Sequence, residues 1–198
     1  DFSACPALTT IGIKSFERNN IRALNLDSCS ALAVVDHYAF FENRIRSLDF
    51  SDCAALNFIG EQAFSDNNLT AVNFNGCINL TQIEFCAFFF NSITSIDLSS
   101  CINLKVIAKL AFSSNLISSL DLSGCSNLTR LEMEAFHSNS LSSVDLGNCK
   151  SLMVIGWFAF QQNNMSSFTL PNPDYPGFEY WQDAHENPYN AGENVPID

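Results

Sequence analysis

Leu120-Asp-Leu-Ser-Gly-Cys125 is one instance of a pattern that returns every 24 residues along the chain. Cysteine stands at Cys5, Cys29, Cys53, Cys77, Cys101, Cys125 and Cys149. Phenylalanine stands at Phe16, Phe40, Phe64, Phe88, Phe112, Phe136 and Phe160, and neither series is broken by an insertion or deletion. Two independent series on one step mark a solenoid, in which each coil packs only on its neighbours. An elongated stack therefore replaces the single central core expected of 198 residues.

Working outward, the full repeat reads L-x-x-L-x-L-x-x-C-x-x-L-x-x-I-x-x-x-A-F-x-x-N-x. Leu120 and Leu122 alternate about Asp121, the period-two pattern of a short strand with two side chains in and one out. Strands stacked at a constant interval must run parallel. The rest of each coil returns the chain, anchored in this coil by Leu128 and Leu131. Ala135 and Phe136 then turn inward, for which a helical or 3₁₀ turn is expected. Each fully buried Phe of that series contributes about 1.5–3 kcal/mol.

The cysteines of adjacent coils lie about one strand spacing apart, roughly 4.8 Å. That distance is compatible with a disulfide, but side chains in one column point the same way and not at each other. Reduced thiols packed as small apolar groups are expected. Asn19, Asn43, Asn67, Asn91, Asn115, Asn139 and Asn163 form a polar column. With two donors and an acceptor, each amide is expected to satisfy backbone groups of the turn into the strand, in its own coil and the next.

The segment Ile21-Arg-Ala-Leu-Asn-Leu-Asp-Ser-Cys-Ser-Ala-Leu32 resembles the leucine-rich repeat. Leu56-Asn-Phe-Ile-Gly-Glu-Gln-Ala-Phe64 is similar to the BspA-like branch of it, whose signature couples Leu-x-x-Ile to x-x-x-Ala-Phe. One departure is that the branch often carries Cys shortly after Ala-Phe, where this chain has Asn. The resemblance implies an α/β-type repeat solenoid. It would be a right-handed parallel stack of about seven coils over residues 1–170, with short strands on a concave side and irregular or 3₁₀ returns. It also implies a secreted or cell-surface protein of bacteria or parasitic protists, associated with adhesion to host, matrix or neighbouring cells.

Composition narrows the class of function. A formal net charge of −12 leaves too little Lys and Arg to neutralise nucleic-acid phosphates, and no apolar run is long enough to span a bilayer. His37, His137 and His185 fall at unrelated places in the repeat, with no nucleophile or acid pair set beside them by spacing. Cys86, the one cysteine outside the series, has aromatic neighbours and no evident base. No catalysis, metal or cofactor is expected. The chain enters a repeat halfway, as Asp1-Phe-Ser-Ala-Cys5 aligns with Asp49-Phe-Ser-Asp-Cys53; a processed chain or an excised piece would begin so.

What remains is an interaction surface or a spacer with no ligand of its own. On the strand face the outward column reads Asn25, Asp49, Asn73, Asp97, Asp121, Asp145 and Thr169, flanked by Arg22, Arg46, Thr70, Thr94 and Ser118. It is acidic toward the C-terminal half, whereas Arg18, Arg22, Arg44 and Arg46 make the N-terminal end basic. Arg22, Arg46, Asp49, Asn73, Asp97, Asp121 and Asp145 are the candidate ligand-binding residues, for a polar protein or glycan. The same columns also fit a face that is merely solvated and kept charged against stacking. Phe85, Phe89 and Phe90, where other coils are mostly polar, form a candidate hydrophobic partner patch. Residues 171–198 break the period with Pro171, Pro173 and Pro176, and their aromatic and turn residues suggest a capping hairpin or the start of a following β module.

Overall fold

The computed structural model describes residues 1–171. The expected hairpin or β module, Pro171 apart, lies outside the described residues. Those residues form a parallel β-solenoid. Short strands Thr10–Ile11, Val34–Val35, Phe58–Ile59, Gln82–Ile83, Val106–Ile107, Arg130–Leu131 and Val154–Ile155 pair in sequence order into one seven-stranded parallel sheet. On the other side, from Ser47 onward, lie Ser47–Asp49, Ala71–Asn73, Ser95–Asp97, Ser119–Asp121, Ser143–Asp145 and Ser167–Thr169. Every pairing is in register at a step of one repeat, as in Asp97 opposite Asp121.

Two expectations change here. The longer strands pair two by two into three sheets and do not form one continuous sheet. The continuous sheet belongs instead to the return segment, where Leu131, expected only as an anchor, lies in the strand Arg130–Leu131. The return also holds no helix among the described residues. Its Ala-Phe corner is built from left-handed residues two before and two after each Phe, such as Tyr38 and Glu42 (φ 57° and 50°) or Leu110 and Ser114 (φ 59° and 56°).

Hydrogen bonding explains that backbone. At the corner, alternate N–H groups bond along the stack: Leu110 N–H donates to Met133 O at 3.0 Å, Phe112 to Ala135 O at 2.8 Å and Ser114 to His137 O at 2.9 Å. The N–H groups between them close local turns, Ala111 to Ala108 O and Ser113 to Leu110 O. A left-handed residue every fourth position lets a tight bend keep every backbone donor paired, at about 1–2 kcal/mol of strain per non-glycine residue. An α-helix would turn all of these donors inward along its own axis and leave the next coil without partners.

The core is the two apolar sets facing each other. Phe16, Phe40, Phe64, Phe88, Phe112, Phe136 and Phe160 stack face to face, with ring centroids 5.1–5.6 Å apart and planes within 2–9°. Phe50 and Phe74, at the second inward strand position, meet this column edge-on from across the coil. All eight cysteines are free, and only Cys5 is exposed.

Candidate functional site

Each column can be sorted by what its polar atoms already hold. The Asn column is internal. Asn115 Nδ2 donates to Phe88 O of the preceding coil at 3.0 Å and to Phe112 O and Ser113 O of its own, while its Oδ1 accepts the N–H of Ile93 at 3.1 Å. The same set recurs at Asn43, Asn67, Asn91, Asn139 and Asn163. The expected inter-coil partner is therefore corrected: the amide reaches back to the preceding coil, not forward to the next. Asn19 in the first coil bonds only to Glu17 O among the described residues.

The thiols are equally committed. Cys125 Sγ donates to Leu98 O of the preceding coil at 3.3 Å, and Cys29, Cys77 and Cys149 do the same in theirs. Burial pushes the Cys53, Cys77, Cys125 and Cys149 thiols up to about 12, and Cys86, also buried, up to about 12. A thiol held protonated is neither a nucleophile nor a ligand at neutral pH. Among the described residues no group of His, Cys, Asp and Glu could hold a metal ion, and no helix is long and apolar enough to cross a membrane.

The outward strand column has a second task that its spacing did not reveal. Asp97 Oδ1 accepts the N–H of Ser99 at 2.8 Å, Asp121 that of Ser123 and Asp145 that of Gly147, as Asn25 and Asn73 do in their coils. This Asx turn ends the strand. Asp49 makes it too and also accepts from Asn73 Nδ2 at 3.0 Å; the Ser51 hydroxyl and N–H, with Asn73 adding, hold its carboxyl below the ordinary carboxylate range. Exposed acids here thus answer first to turn chemistry. Even so, the Oδ2 atoms of Asp97, Asp121 and Asp145 have no hydrogen-bond partner among the described residues, and all three side chains are exposed.

The remaining candidates fall apart in space. Arg22 and Arg46 are exposed at the N-terminal end of the strand face. The aromatic candidates sit in the return segment of the fourth coil, away from that column. Of these, Phe85 and Phe89 are half-buried and Phe90 is 62 % exposed, its ring 5.8 Å from that of Phe89. Sequence reading missed a second amide series: Asn79, Asn103 and Asn127 donate to Ala54 O, Ile78 O and Ile102 O at 2.8–2.9 Å. Its signal was Asn two residues after Cys in three successive coils.

A family model described as the BspA type leucine rich repeat region, in six copies, matches residues 2–115 and 57–175. Comparison with curated proteins gives no match. Among solved structures, the functional domain of InlJ from Listeria monocytogenes, which includes a cysteine ladder, is similar in fold, with a TM-score of 0.59 and 24 % identity over 91 % of this chain. The chain spans 35 % of that structure's own chain.

Proposed function

The chain belongs to the BspA-type leucine-rich repeat family, and from that membership we propose that it is a non-catalytic interaction module of a secreted or cell-surface protein. It binds protein or glycan on host, matrix or neighbouring cells through the strand face, in the manner of an adhesin. One observation carries this reading. Apart from Cys5 and Asn19 in the first coil, the thiol and asparagine columns are turned into the stack, whereas the strand face keeps exposed carboxylate oxygens at Asp97, Asp121 and Asp145 without partners among the described residues.

The test must remove charge without removing the turn. Asn25 and Asn73 already close the same turn with an amide oxygen, so the triple variant D97N/D121N/D145N is a clean probe. Binding to immobilised matrix or host-cell extract should be lost while circular dichroism stays that of the parent. Retained binding sinks the acidic column as the site. A second reading places the partner on Phe90, whose 62 % exposure in a cluster of rings is uncommon for a soluble surface; Phe90→Ser would then abolish the binding that the triple variant keeps.

A further inference from the structure

Five of the nine Lys and Arg residues lie in the first 46 positions: Lys14, Arg18, Arg22, Arg44 and Arg46. The structure divides them. Arg18 Nε lies 3.0 Å from Glu42 Oε2, with the guanidinium over the Phe41 ring, and Lys14 lies 3.8 Å from Glu17 and over Tyr38. Arg22, Arg44 and Arg46 make no ion pair among the described residues and are exposed. Arg44 and Arg46 are exposed on either side of buried Ile45, just before the strand Ser47–Asp49. The N–H of Arg44 donates to Ile21 O at 2.9 Å, which sets Arg22 beside them on the adjoining coil. In a molecule of net charge −12, these three exposed cations of adjoining coils have no carboxylate drawn onto them among the described residues. Asp49, on the same strand, is already held by Ser51 and Asn73.

A row of hydroxyls continues from this cluster. Thr70 Oγ1 donates to Arg46 O at 3.3 Å, Thr94 to Thr70 O at 3.5 Å and Ser118 to Thr94 O at 3.3 Å. With each hydrogen turned into the stack, the oxygen lone pairs are left for donors from outside. Forked guanidinium donors suited to an oxyanion thus adjoin a row of acceptors suited to hydroxyl groups. We propose that Arg22, Arg44 and Arg46, continued by Thr70, Thr94 and Ser118, form a subsite for an acidic glycan, its carboxylate or sulfate on the arginines and its hydroxyls on the row. A peptide fits less well. Beside the arginines the backbone is already engaged toward the hydroxyl row, Ser47–Asp49 by Ala71–Asn73 and Arg46 O by the Thr70 N–H, so an extended chain cannot join the strand on that side.

This inference rests on the strand face being the partner surface and adds the partner's chemistry. The intact chain is tested by biolayer interferometry against immobilised dextran sulfate, polygalacturonate, unmodified dextran and polyglutamate, at low and at physiological salt. Binding is expected to one or both acidic glycans and not to dextran, with the acid group named by whichever polymer binds. R22Q/R44Q/R46Q should weaken it about tenfold or more, as the loss of charged hydrogen bonds predicts. K105Q/K109Q/K150Q, with the same change in net charge, should leave it unaltered. No binding to either acidic glycan, equal loss in both variants, or polyglutamate bound as tightly as the glycans overturns the subsite. D97N/D121N/D145N separates the two readings, since it should abolish matrix binding yet leave the acidic glycans bound.

Discussion

Asn115 Nδ2 donates to the carbonyl oxygen of Phe88, 27 residues earlier, at 3.0 Å, so one amide ties the corner of its own coil to the corner before it. Because Asn115 is only 6 % exposed, water cannot replace what its removal would leave unpaired. Asn115→Ala should cost about 1–3 kcal/mol of stability, read from urea unfolding. Asn19→Ala, which loses a single exposed bond to Glu17 O, should cost less than about 1 kcal/mol. Equal effects at the two sites would mean that the inter-coil bonds contribute nothing.

Gly124 lies against the preceding coil, where an added Cβ would overlap Ser99 O. Backbone cannot rotate away as a side chain can. Gly124→Ala should therefore destabilise by about 1–3 kcal/mol, measured as a lowered midpoint of unfolding. A midpoint equal to that of the parent would show that the coils separate easily at this edge.

Ser114 holds φ at 56°, which glycine adopts without strain and a β-branched residue resists. Ser114→Gly should raise stability by up to about 1 kcal/mol, the relief of strain less the added freedom of the unfolded chain. Ser114→Val should lower it by a similar amount. Thermal melts of the pair decide the matter by sign, and the same sign for both would refute the strained-corner account.

The thiols predict an alkaline limit. In the unfolded chain they release protons near the ordinary 9.0, whereas in the fold Cys53, Cys77, Cys86, Cys125 and Cys149 hold them to about 12. Between those values the unfolded chain binds fewer protons, so stability falls as pH rises from 9 toward 12 and is unaffected by these groups below 9. Unfolding temperature should drop over that interval. At pH 8, iodoacetamide should modify Cys5 rapidly in the native protein and the other seven only after denaturation; rapid native labelling of Cys77 or Cys101 would contradict their burial.

Much of the arrangement follows from spacing. Cys125 and Phe136 recur at a fixed step, and only a stack in register puts such series in line; the structure has both, with Phe112 and Phe136 at 5.3 Å. Free thiols also followed, since side chains of one column share a direction. The Asn column read as internal because an amide at that regularity in an apolar setting needs partners, although which neighbouring coil supplies them depends on how the corner leans.

What the sequence by itself determined is the coil: its length, its inward set and its parallel stacking, because periodicity records which side chains share a face. The tertiary structure alone decided how the backbone turns and what the outward groups hold. Leu110 and Ser114 are left-handed with no glycine to announce it, for the next coil's carbonyls select that conformation. Arg18 finds Glu42 of the next coil while Arg46 finds no carboxylate among the described residues, and those outcomes rest on distances across coils that no single coil's pattern contains.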